Sequence, residues 1–461
     1  MALPASDPDY RQRDRATSPT DTQPHLHAVG ERPHVVIVGG GFGGLMTALS
    51  LRDAPVRVTL IDRHNHHLFQ PLLYQVATAA LSPSQIAVPI RHIVARQPNC
   101  TVWMAEVTGI DIARRRVQLS DGAVPFDYLV LATGATQSYF GHNEWARHAP
   151  GLKTIEDAIE IRQRVLLAFE EAERIGATTA APAPLTFVVI GGGPTGVELA
   201  GAISEIAFRT VQCDFHHVRP EDTRVMLVEA SDRLLPGFPD TLARRAAQDL
   251  AELGVTVRLG CRVTAITAQD VQLHGPQGDE RIVTHNVLWA AGVKASPLGA
   301  ALGAPTDTLG RVRVTADLSI PNHPNVFVIG DLACSHSAAD GQPAPAVAPA
   351  ALQMGQHVAG IIAAETQTPD ASAKPTRPSF SYRDRGMLAT IGRKRAVAAL
   401  GPFRFGGFAA WMVWCVVHVM FLITFRQRVI VMIEWLWSYM TFTGGARLIS
   451  GTQSSNTRPR E

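Results

Sequence analysis

The stretch His34-Val-Val-Ile-Val38 runs directly into Gly39-Gly-Gly-Phe-Gly-Gly44, and this junction decides the fold. A helix-compatible segment over 45–51 follows, and a second apolar run over 56–61 ends at Asp62. A strand, a glycine turn, a helix and a strand within roughly 30 residues are typical of a dinucleotide-binding unit. Its glycines permit a tight turn and a close approach of a pyrophosphate to the helix N-terminus, while the acid can accept from a ribose hydroxyl.

The same order of elements recurs about 150 residues later, which predicts a second dinucleotide site. The strand 185–190 leads into a second glycine turn, a helix over 197–206 and a strand over 225–228 that ends at Glu229. Glu229 follows later than the usual ~20 residues, which we attribute to an extension over 213–223. Because an acid at the ribose repels a 2′-phosphate, the pattern favours NAD over NADP. The candidate residues are Gly39, Gly41, Gly43, Gly44 and Asp62 in the first copy and Gly191, Gly193, Gly196 and Glu229 in the second.

Two dinucleotide sites in one chain predict a flavin in one and a nicotinamide in the other, that is, FAD and NADH. A later apolar run over 325–331 ends at Asp331, which could complete the site begun by the first unit. This arrangement predicts a split FAD domain with the NADH domain inserted into it. Residues 175–184 and 369–379, which are rich in Pro, Ala and Thr, are interpreted as connecting segments.

Composition excludes several other classes of protein. The chain has 461 residues, of which 46% are hydrophobic and 18% charged, so it is neither disordered nor fibrous. Its net charge of +2 indicates no nucleic-acid partner. The five cysteines form no CxxC or CxxxxC pair, which argues against a zinc site, a disulfide framework and a dithiol redox centre. Residues 1–32 lack the apolar core of a secretory signal and are predicted to be a disordered tail.

The C-terminal segment differs from the rest of the chain in charge and aromatic content. Residues 380–450 contain nine Lys and Arg against two Asp and Glu, and four of the seven tryptophans. An uncharged run over 408–425 would be about 27 Å long as a helix, the lower limit for crossing a bilayer. A second apolar run covers 429–437. The alternatives are one short transmembrane helix, an ordinary core or dimer helix, and a pair of helices lying in the membrane interface. The charge and tryptophans favour the pair.

The chain resembles the two-dinucleotide-binding-domain flavoproteins and, within them, the type II NADH dehydrogenases, which reduce quinone without pumping protons. Besides the glycine turns, the resemblance rests on the segments His67-Leu-Phe-Gln-Pro-Leu-Leu-Tyr-Gln-Val-Ala77, Leu131-Ala-Thr-Gly134, Trp289-Ala-Ala-Gly292, Val347-Ala-Pro-Ala-Ala-Leu-Gln353 and Ile391-Gly-Arg-Lys-Arg-Ala396. The residues 67–77 include no cysteine, whereas peroxide- and oxygen-reducing relatives use one there. Electrons should therefore pass directly from the flavin to a diffusible acceptor.

The resemblance implies a role for each candidate residue. Ala132, Gly134 and Asp331 would join the first glycine turn in binding FAD, and Gly292 would lie near the nicotinamide. Glu198, Gln353 and Lys394 would serve quinone reduction, with Glu198 relaying protons. The alternatives for these three are a helix carboxylate favoured by the dipole, a surface amide and a solvated or lipid-facing charge. Pro349 replaces the first glutamine of the family's paired quinone motif. No metal is expected, because the histidines at 64, 66 and 67 lack further ligands at a suitable spacing.

The sequence thus predicts an α/β fold with two Rossmann-like domains and a helical C-terminal module that associates with membrane. The expected divisions are a tail over 1–32, FAD-binding parts over 33–150 and 310–368, an NADH-binding domain over 151–309 and the module over 380–461. The expected partners are NADH, a membrane quinone and lipid, with a homodimer left open, on the cytoplasmic side of the inner membrane. The alternatives are a ferredoxin- or oxygen-linked NADH oxidoreductase and a flavin-bearing scaffold that senses NADH.

Overall fold

The computed structural model describes residues 32–179, 184–210, 214–368, 375–441 and 447–449. Residues 1–31 of the predicted N-terminal tail, residues 180–183 and 369–374 of the two connecting segments, and residues 442–446 and 450–461 of the C-terminal module lie outside these ranges. Residues from Pro33 onward form one compact unit.

A six-stranded sheet carries the first glycine turn. Its order places the first strand of the chain at the centre, parallel to the neighbours on both sides, and the outermost strand Ser319–Ile320 is antiparallel. The strands in spatial order are Ser319–Ile320, His323–Val328, Tyr128–Leu131, His34–Val38, Arg57–Asp62 and Cys100–Met104. The central strand is buried along its whole length, as expected for a parallel sheet covered on both faces.

A four-stranded parallel sheet carries the second glycine turn. Its strands, in spatial order, are Val255–Arg258, Thr223–Val228, Leu185–Ile190 and Asn286–Trp289. This sheet is formed by residues between two strands of the six-stranded sheet, Tyr128–Leu131 and His323–Val328, so the second unit is inserted into the first, as predicted.

Three antiparallel three-stranded sheets and three two-stranded pairs complete the strand content of the described residues. The first sheet has the strands Val107–Asp111, Arg116–Leu119 and Gly122–Pro125, and the second has Arg262–Ile266, Asp270–Gly275 and Gly278–Val283. The third has Met387–Gly392, Arg395–Leu400 and Phe403–Gly406. The pairs are His66–Leu68 with Ala87–Pro89, Ala135–Gln137 with Val293–Ala295 and Val312–Arg313 with Ala333–Cys334.

Within the described ranges, the α-helices of four or more residues follow the glycine turns, cover the sheets and form the C-terminal end. In chain order they are α1 Phe42–Ser50, α2 Leu73–Ala77, α3 Pro83–Ile86, α4 Ile90–Ile93, α5 Ile155–Gly176, α6 Pro194–Glu205, α7 Asp240–Glu252, α8 Ala348–Gln367, α9 Phe408–Phe421 and α10 Phe425–Thr441. A π-helical turn, Ile206–Thr210, continues α6. Helix α5 begins with a capping box in which the Thr154 side chain accepts from the Asp157 backbone.

The C-terminal module differs from the predicted helical pair in two respects. It begins with the three-stranded sheet over 387–406, which the basic sequence around Lys394 did not suggest. Its long apolar run is interrupted at Leu422, where the backbone is extended, so α9 has 14 residues and would measure about 21 Å. A transmembrane segment would have needed one uninterrupted helix over 408–425. The structure has two separate helices, α9 and α10, with the break between them inside this run.

Candidate active site

The first glycine turn borders a cleft of about 1080 Å³. Gly39 has a φ of +104° and packs on the Ala132 backbone, and a Cβ at Gly44 would collide with the Gly39 carbonyl. A Cβ at Gly41 would meet no protein atom within 4 Å. The protein itself therefore does not require glycine at position 41, whereas a pyrophosphate approaching the N-terminus of α1 would.

The second glycine turn repeats this division of roles. Gly191, with a φ of +111°, lies against the backbone of Ala290, and a Cβ at Gly196 would collide with the Gly191 carbonyl. A Cβ at Gly193 would again meet no protein atom within 4 Å. Both turns thus present an open backbone at the helix N-terminus, so each can take a dinucleotide.

The acid at the end of the second strand of each unit holds its glycine turn. Asp62 Oδ2 accepts from the Gly40 amide at 2.6 Å, and Glu229 Oε2 accepts from the Gly192 amide at 2.5 Å. Glu229 Oε1 also accepts from the Ser231 amide at 2.8 Å. A carboxylate oxygen has two lone pairs, so both acids keep acceptor capacity for a ribose hydroxyl.

The far wall of the first cleft includes Ala132, Gly134 and Asp331. Asp331 lies just beyond the strand His323–Val328, and burial raises the pKa of its carboxyl. The Oγ1 of Thr133 is buried there without a hydrogen-bond partner. These groups fit FAD. The open glycine turn suits its phosphates, the Asp331 carboxyl its ribose, and the unpaired Thr133 hydroxyl the edge of its ring. Gly43 also lines this cleft, and a Cβ there would press on Ile329 and on the Ala351 carbonyl of α8.

Gly292 lies beyond the second glycine turn, with a φ of +76°. The Phe140 ring covers its Cα, and its carbonyl accepts from the Ser138 amide at 3.3 Å. The strand pair Ala135–Gln137 and Val293–Ala295 joins this region to the edge of the FAD cleft, since residues 135–137 also line that cleft. Gly292 is therefore on the side of the NADH unit that faces the first cleft.

Glu198 is placed by helix α6, which links the second glycine turn to the C-terminal module. The helix begins at Pro194, directly after the turn, and at Gly201 it packs on the Ile391 backbone of the C-terminal sheet. Burial raises the pKa of the Glu198 carboxyl to about 8, although a hydrogen bond from the Thr390 backbone opposes this effect. The carboxyl is therefore mostly protonated at pH 7.

Glu198 lines a cavity of about 180 Å³, the Glu198 cavity, between α6, the segment 74–80 and the C-terminal helices. Its wall is more apolar than polar. Besides Glu198, the aromatic and polar residues of the wall are Tyr74, Gln75, Thr78, Glu205, Thr390, Arg393, Trp411, Trp414, Trp435, Ser438, Tyr439 and Arg447. An aromatic wall with a neutral carboxyl suits a flat, largely apolar molecule that carries hydrogen-bond acceptors.

The other two predicted catalytic residues do not line this cavity. Gln353 lies on α8 and makes two hydrogen bonds with the backbone of Arg383, at 3.0 and 2.9 Å. Lys394 lies in the turn between two strands, with a φ of +65°, and its Nζ is 4.8 Å from the centre of the Tyr439 ring. Its neighbour Arg393 reaches the wall, and the Arg393 guanidinium donates to the Ser438 carbonyl. Of the three, only Glu198 therefore lies on the cavity.

Of the histidines at 64, 66 and 67, His67 is buried in the fold, whereas His64 and His66 line the first cleft. His67 Nδ1 lies 2.9 Å from the Gly40 carbonyl, and its ring packs edge-on against Phe42. Burial lowers the pKa of His67, so the ring is neutral. In the described part of the chain, no group of three or more His, Cys, Asp or Glu could hold a metal ion.

Sequence reasoning assigned no role to Tyr74, Gln75 or Trp435, which form a hydrogen-bonded group on the cavity wall. The sequence feature that could have pointed to Tyr74 and Gln75 is that their polar side chains lie within the largely apolar segment 67–77. Their partner Trp435 lies 360 residues away in sequence, so only the folded chain brings the three together.

Comparisons with known proteins agree with this geometry. Residues 33–355 match the pyridine nucleotide-disulphide oxidoreductase family, and residues 385–442 match the NDH2 C-terminal domain. The chain is 42% identical over 446 residues to the type II NADH:quinone oxidoreductase Ndh of Mycobacterium tuberculosis, covering 95% of this chain and 93% of that protein. It is also 42% identical to NdhA of the same organism, over 92% and 90% of the two chains.

Among solved structures, NDH2 of Plasmodium falciparum in complex with NADH superimposes with a TM-score of 0.80 at 18% identity, over 91% of this chain and all of that one. At this identity the match shows a shared fold. Together with the family matches and the identity to the mycobacterial enzymes, it leads to one assignment. The chain belongs to the pyridine nucleotide-disulphide oxidoreductase family and, within it, to the type II NADH:quinone oxidoreductases.

Proposed function

We propose that this protein oxidises NADH and reduces a quinone in the Glu198 cavity, without pumping protons. The observation that carries the proposal is a carboxyl held protonated in an aromatic cavity, on the same helix that begins at the second glycine turn. Helix α6 thus connects the backbone that would hold NADH to the pocket that would hold the acceptor.

The chain's own residues divide the work. The backbone at Gly41, with Asp62 and Asp331, would hold FAD, and the backbone at Gly193, with Glu229, would hold NADH. Bound FAD supplies the hydride-accepting and electron-donating chemistry between the two substrates. The protonated Glu198 carboxyl would donate its proton to a quinone oxygen as that oxygen gains electron density.

The C-terminal helices supply a surface for membrane lipid, where a quinone resides. Helix α9 exposes Phe408, Met412, Val416 and Met420 at four-residue spacing, and α10 exposes a second apolar row, Ile433, Leu436, Trp437 and Met440. Within the described residues, no helix is both long and apolar enough to cross a bilayer. We propose that α9 and α10 lie in the interface of the cytoplasmic leaflet, with Arg426 and Arg428 at lipid phosphates.

Anaerobic stopped-flow absorbance of the FAD-loaded protein in lipid tests the proposal. NADH should bleach the flavin band near ~450 nm, and decylubiquinone should restore it within the turnover time. Bleaching that only oxygen or a ferredoxin reverses would favour the alternative oxidoreductases, and a reduced flavin stable for minutes with quinone would favour the NADH-sensing scaffold. Light scattering of the same sample would distinguish a monomer from a homodimer.

A further inference from the structure

Three polar side chains on the wall of the Glu198 cavity form a hydrogen-bond chain of fixed direction. The Trp435 Nε1 donates to Gln75 Oε1 at 2.8 Å, and Gln75 Nε2 donates to Tyr74 Oη at 2.9 Å. An indole nitrogen can only donate, so it determines which end of the Gln75 amide carries the oxygen. The amide nitrogen must then face Tyr74, and the Tyr74 hydroxyl is the acceptor.

The direction of this chain leaves the Tyr74 hydroxyl with a proton to donate. Among the described residues, none accepts that proton, although the Tyr74 side chain is buried. A buried O–H without an acceptor is unfavourable, so a ligand that offers one gains affinity. Tyr74 and Glu198 line the same cavity. Burial is the largest cause of the raised pKa of Tyr74, and the charge that Glu198 carries once it is deprotonated is the second largest.

We propose that the Tyr74 hydroxyl donates a hydrogen bond to one carbonyl oxygen of the quinone, and that Trp435 holds it in that orientation through Gln75. This inference rests on the proposed function, because it assumes that the quinone occupies the Glu198 cavity. Tyr74 would be the residue in contact with the substrate, and Trp435 a positioning residue.

Tyr74 and Glu198 would have different tasks. Burial, together with the charge that Glu198 carries once it is deprotonated, raises the pKa of Tyr74 well above its ordinary value, so this hydroxyl keeps its proton throughout turnover. A quinone takes up two electrons and two protons, and oxidation of NADH accounts for both electrons and one of these protons. Glu198 would deliver the other proton and would regain it from solvent. Tyr74 would orient and polarise the carbonyl, and α10 would set that orientation from the membrane-facing side.

A double-mutant cycle tests the proposal with decylubiquinone and FAD-loaded protein in lipid. Tyr74→Phe should lower kcat/KM for the quinone about five- to tenfold, the loss expected for one neutral hydrogen bond. Most of that loss should appear in KM, and the calorimetric Kd of decylubiquinone for the oxidised protein should rise by a similar factor. Trp435→Phe, which retains an aromatic ring, should lower kcat/KM about threefold.

The double mutant shows whether Trp435 acts through the hydrogen-bond chain to Tyr74 or only through its effect on local packing. In a Tyr74→Phe background, Trp435→Phe should cost less than about twofold, because Trp435 then has no Tyr74 hydroxyl to orient through Gln75. Trp411→Phe is the matched control: Trp411 lines the same cavity but has no hydrogen bond to Gln75 in the described structure. Its effect, whatever its size, should be the same in both backgrounds.

Two results would overturn the inference. One is an unchanged KM and Kd for the quinone in Tyr74→Phe, and the other is a Trp435→Phe effect that multiplies fully with that of Tyr74→Phe. All variants should be bleached by NADH at the wild-type rate, which reports folding and the FAD and NADH sites. Failure of the proposed function is distinguishable, because wild-type reduced flavin would then not be reoxidised by the quinone at all.

Discussion

Replacing Glu198 by Gln should slow quinone reduction and abolish its dependence on pH. Burial raises the pKa of this carboxyl to about 8, so the fraction that carries a proton falls roughly tenfold between pH 7 and pH 9. If the protonated carboxyl delivers a proton to the quinone, the wild-type rate of quinone reduction should fall by about the same factor over that interval. Gln has nearly the same shape and no transferable proton. The Glu198→Gln variant should therefore reduce quinone at least about tenfold more slowly than wild type at pH 7, at a rate that does not change with pH.

The assay is the oxidative half-reaction, measured by anaerobic stopped flow between pH 6 and pH 9.5. Protein reduced with one equivalent of NADH is mixed with decylubiquinone, and the return of the flavin band is followed. Glu198→Asp is the matched control, since it keeps a titrating carboxyl and should keep a descending limb. A wild-type rate that stays constant to pH 9.5, or a descending limb that survives in Glu198→Gln, would refute this role for Glu198.

The same pKa has a consequence for stability, with a definite sign. The folded-state pKa lies above the ordinary value of 4.5, so the folded protein binds the proton more tightly than the unfolded chain does. Stability is therefore greatest below pH 4.5 and falls as pH rises toward 8. At pH 7 the cost is about 3 kcal/mol, which Glu198→Gln would remove. Thermal unfolding should show a stabilisation of the Gln variant that grows from pH 5 to pH 8.

Three further predictions concern the cofactor sites and the membrane surface. Glu229→Gln should raise kcat/KM for NADPH relative to NADH about tenfold, because the charge opposing a 2′-phosphate is removed; equal wild-type values for the two would contradict this role. Asp331→Ala should weaken FAD retention at least about tenfold, read as the ratio of flavin to protein absorbance, with Asp331→Asn in between; full retention would contradict it. The pair Ile433→Ser and Trp437→Ser should reduce binding to anionic liposomes at least about tenfold, since each side chain buries apolar area in lipid. Val283→Ser, on an equally exposed apolar residue of the NADH unit, is the control and should bind liposomes normally.

The two dinucleotide units could be predicted from sequence because the pattern that defines them is local. Gly39, Gly41 and Gly44 each have a separate steric task, and the structure shows the same three tasks repeated at the second turn. The strand at 34–38 and the strand at 185–190 have the predicted bounds. Short-range constraints of this kind are contained in the order of residues, without knowledge of distant contacts.

The C-terminal module was harder to predict, because its sequence does not indicate either the β-sheet at its start or the break between its two helices. Lys394 belongs to a basic cluster that resembles a surface patch, yet it adopts a positive φ in the turn of a β-hairpin. The uncharged run over 408–425 gives no sign of the break after Phe421. There, Leu422 turns inward and is buried, so tertiary packing overrides the helical tendency of the run.

The Glu198 cavity could not be predicted, since its wall is assembled from six separate stretches of the chain between Tyr74 and Arg447. Glu198 itself was identified by resemblance, whereas Gln353, identified in the same way, pairs with the Arg383 backbone away from the cavity wall. The hydrogen-bond chain from Trp435 through Gln75 to Tyr74 likewise depends on a contact between residues that are far apart in sequence. Such contacts arise from the packing of α10 against the segment 74–80.

The most direct test of the central claim is to locate the bound quinone by photolabelling. An azido-substituted quinone, irradiated with the FAD-loaded protein in lipid and mapped by mass spectrometry, should label peptides of the Glu198 cavity, from residues 74–80, α9 and α10. Excess decylubiquinone should prevent the labelling. Competable labelling confined to the cleft around Asp331, or to surfaces remote from α6, would contradict the assignment of the Glu198 cavity as the quinone site.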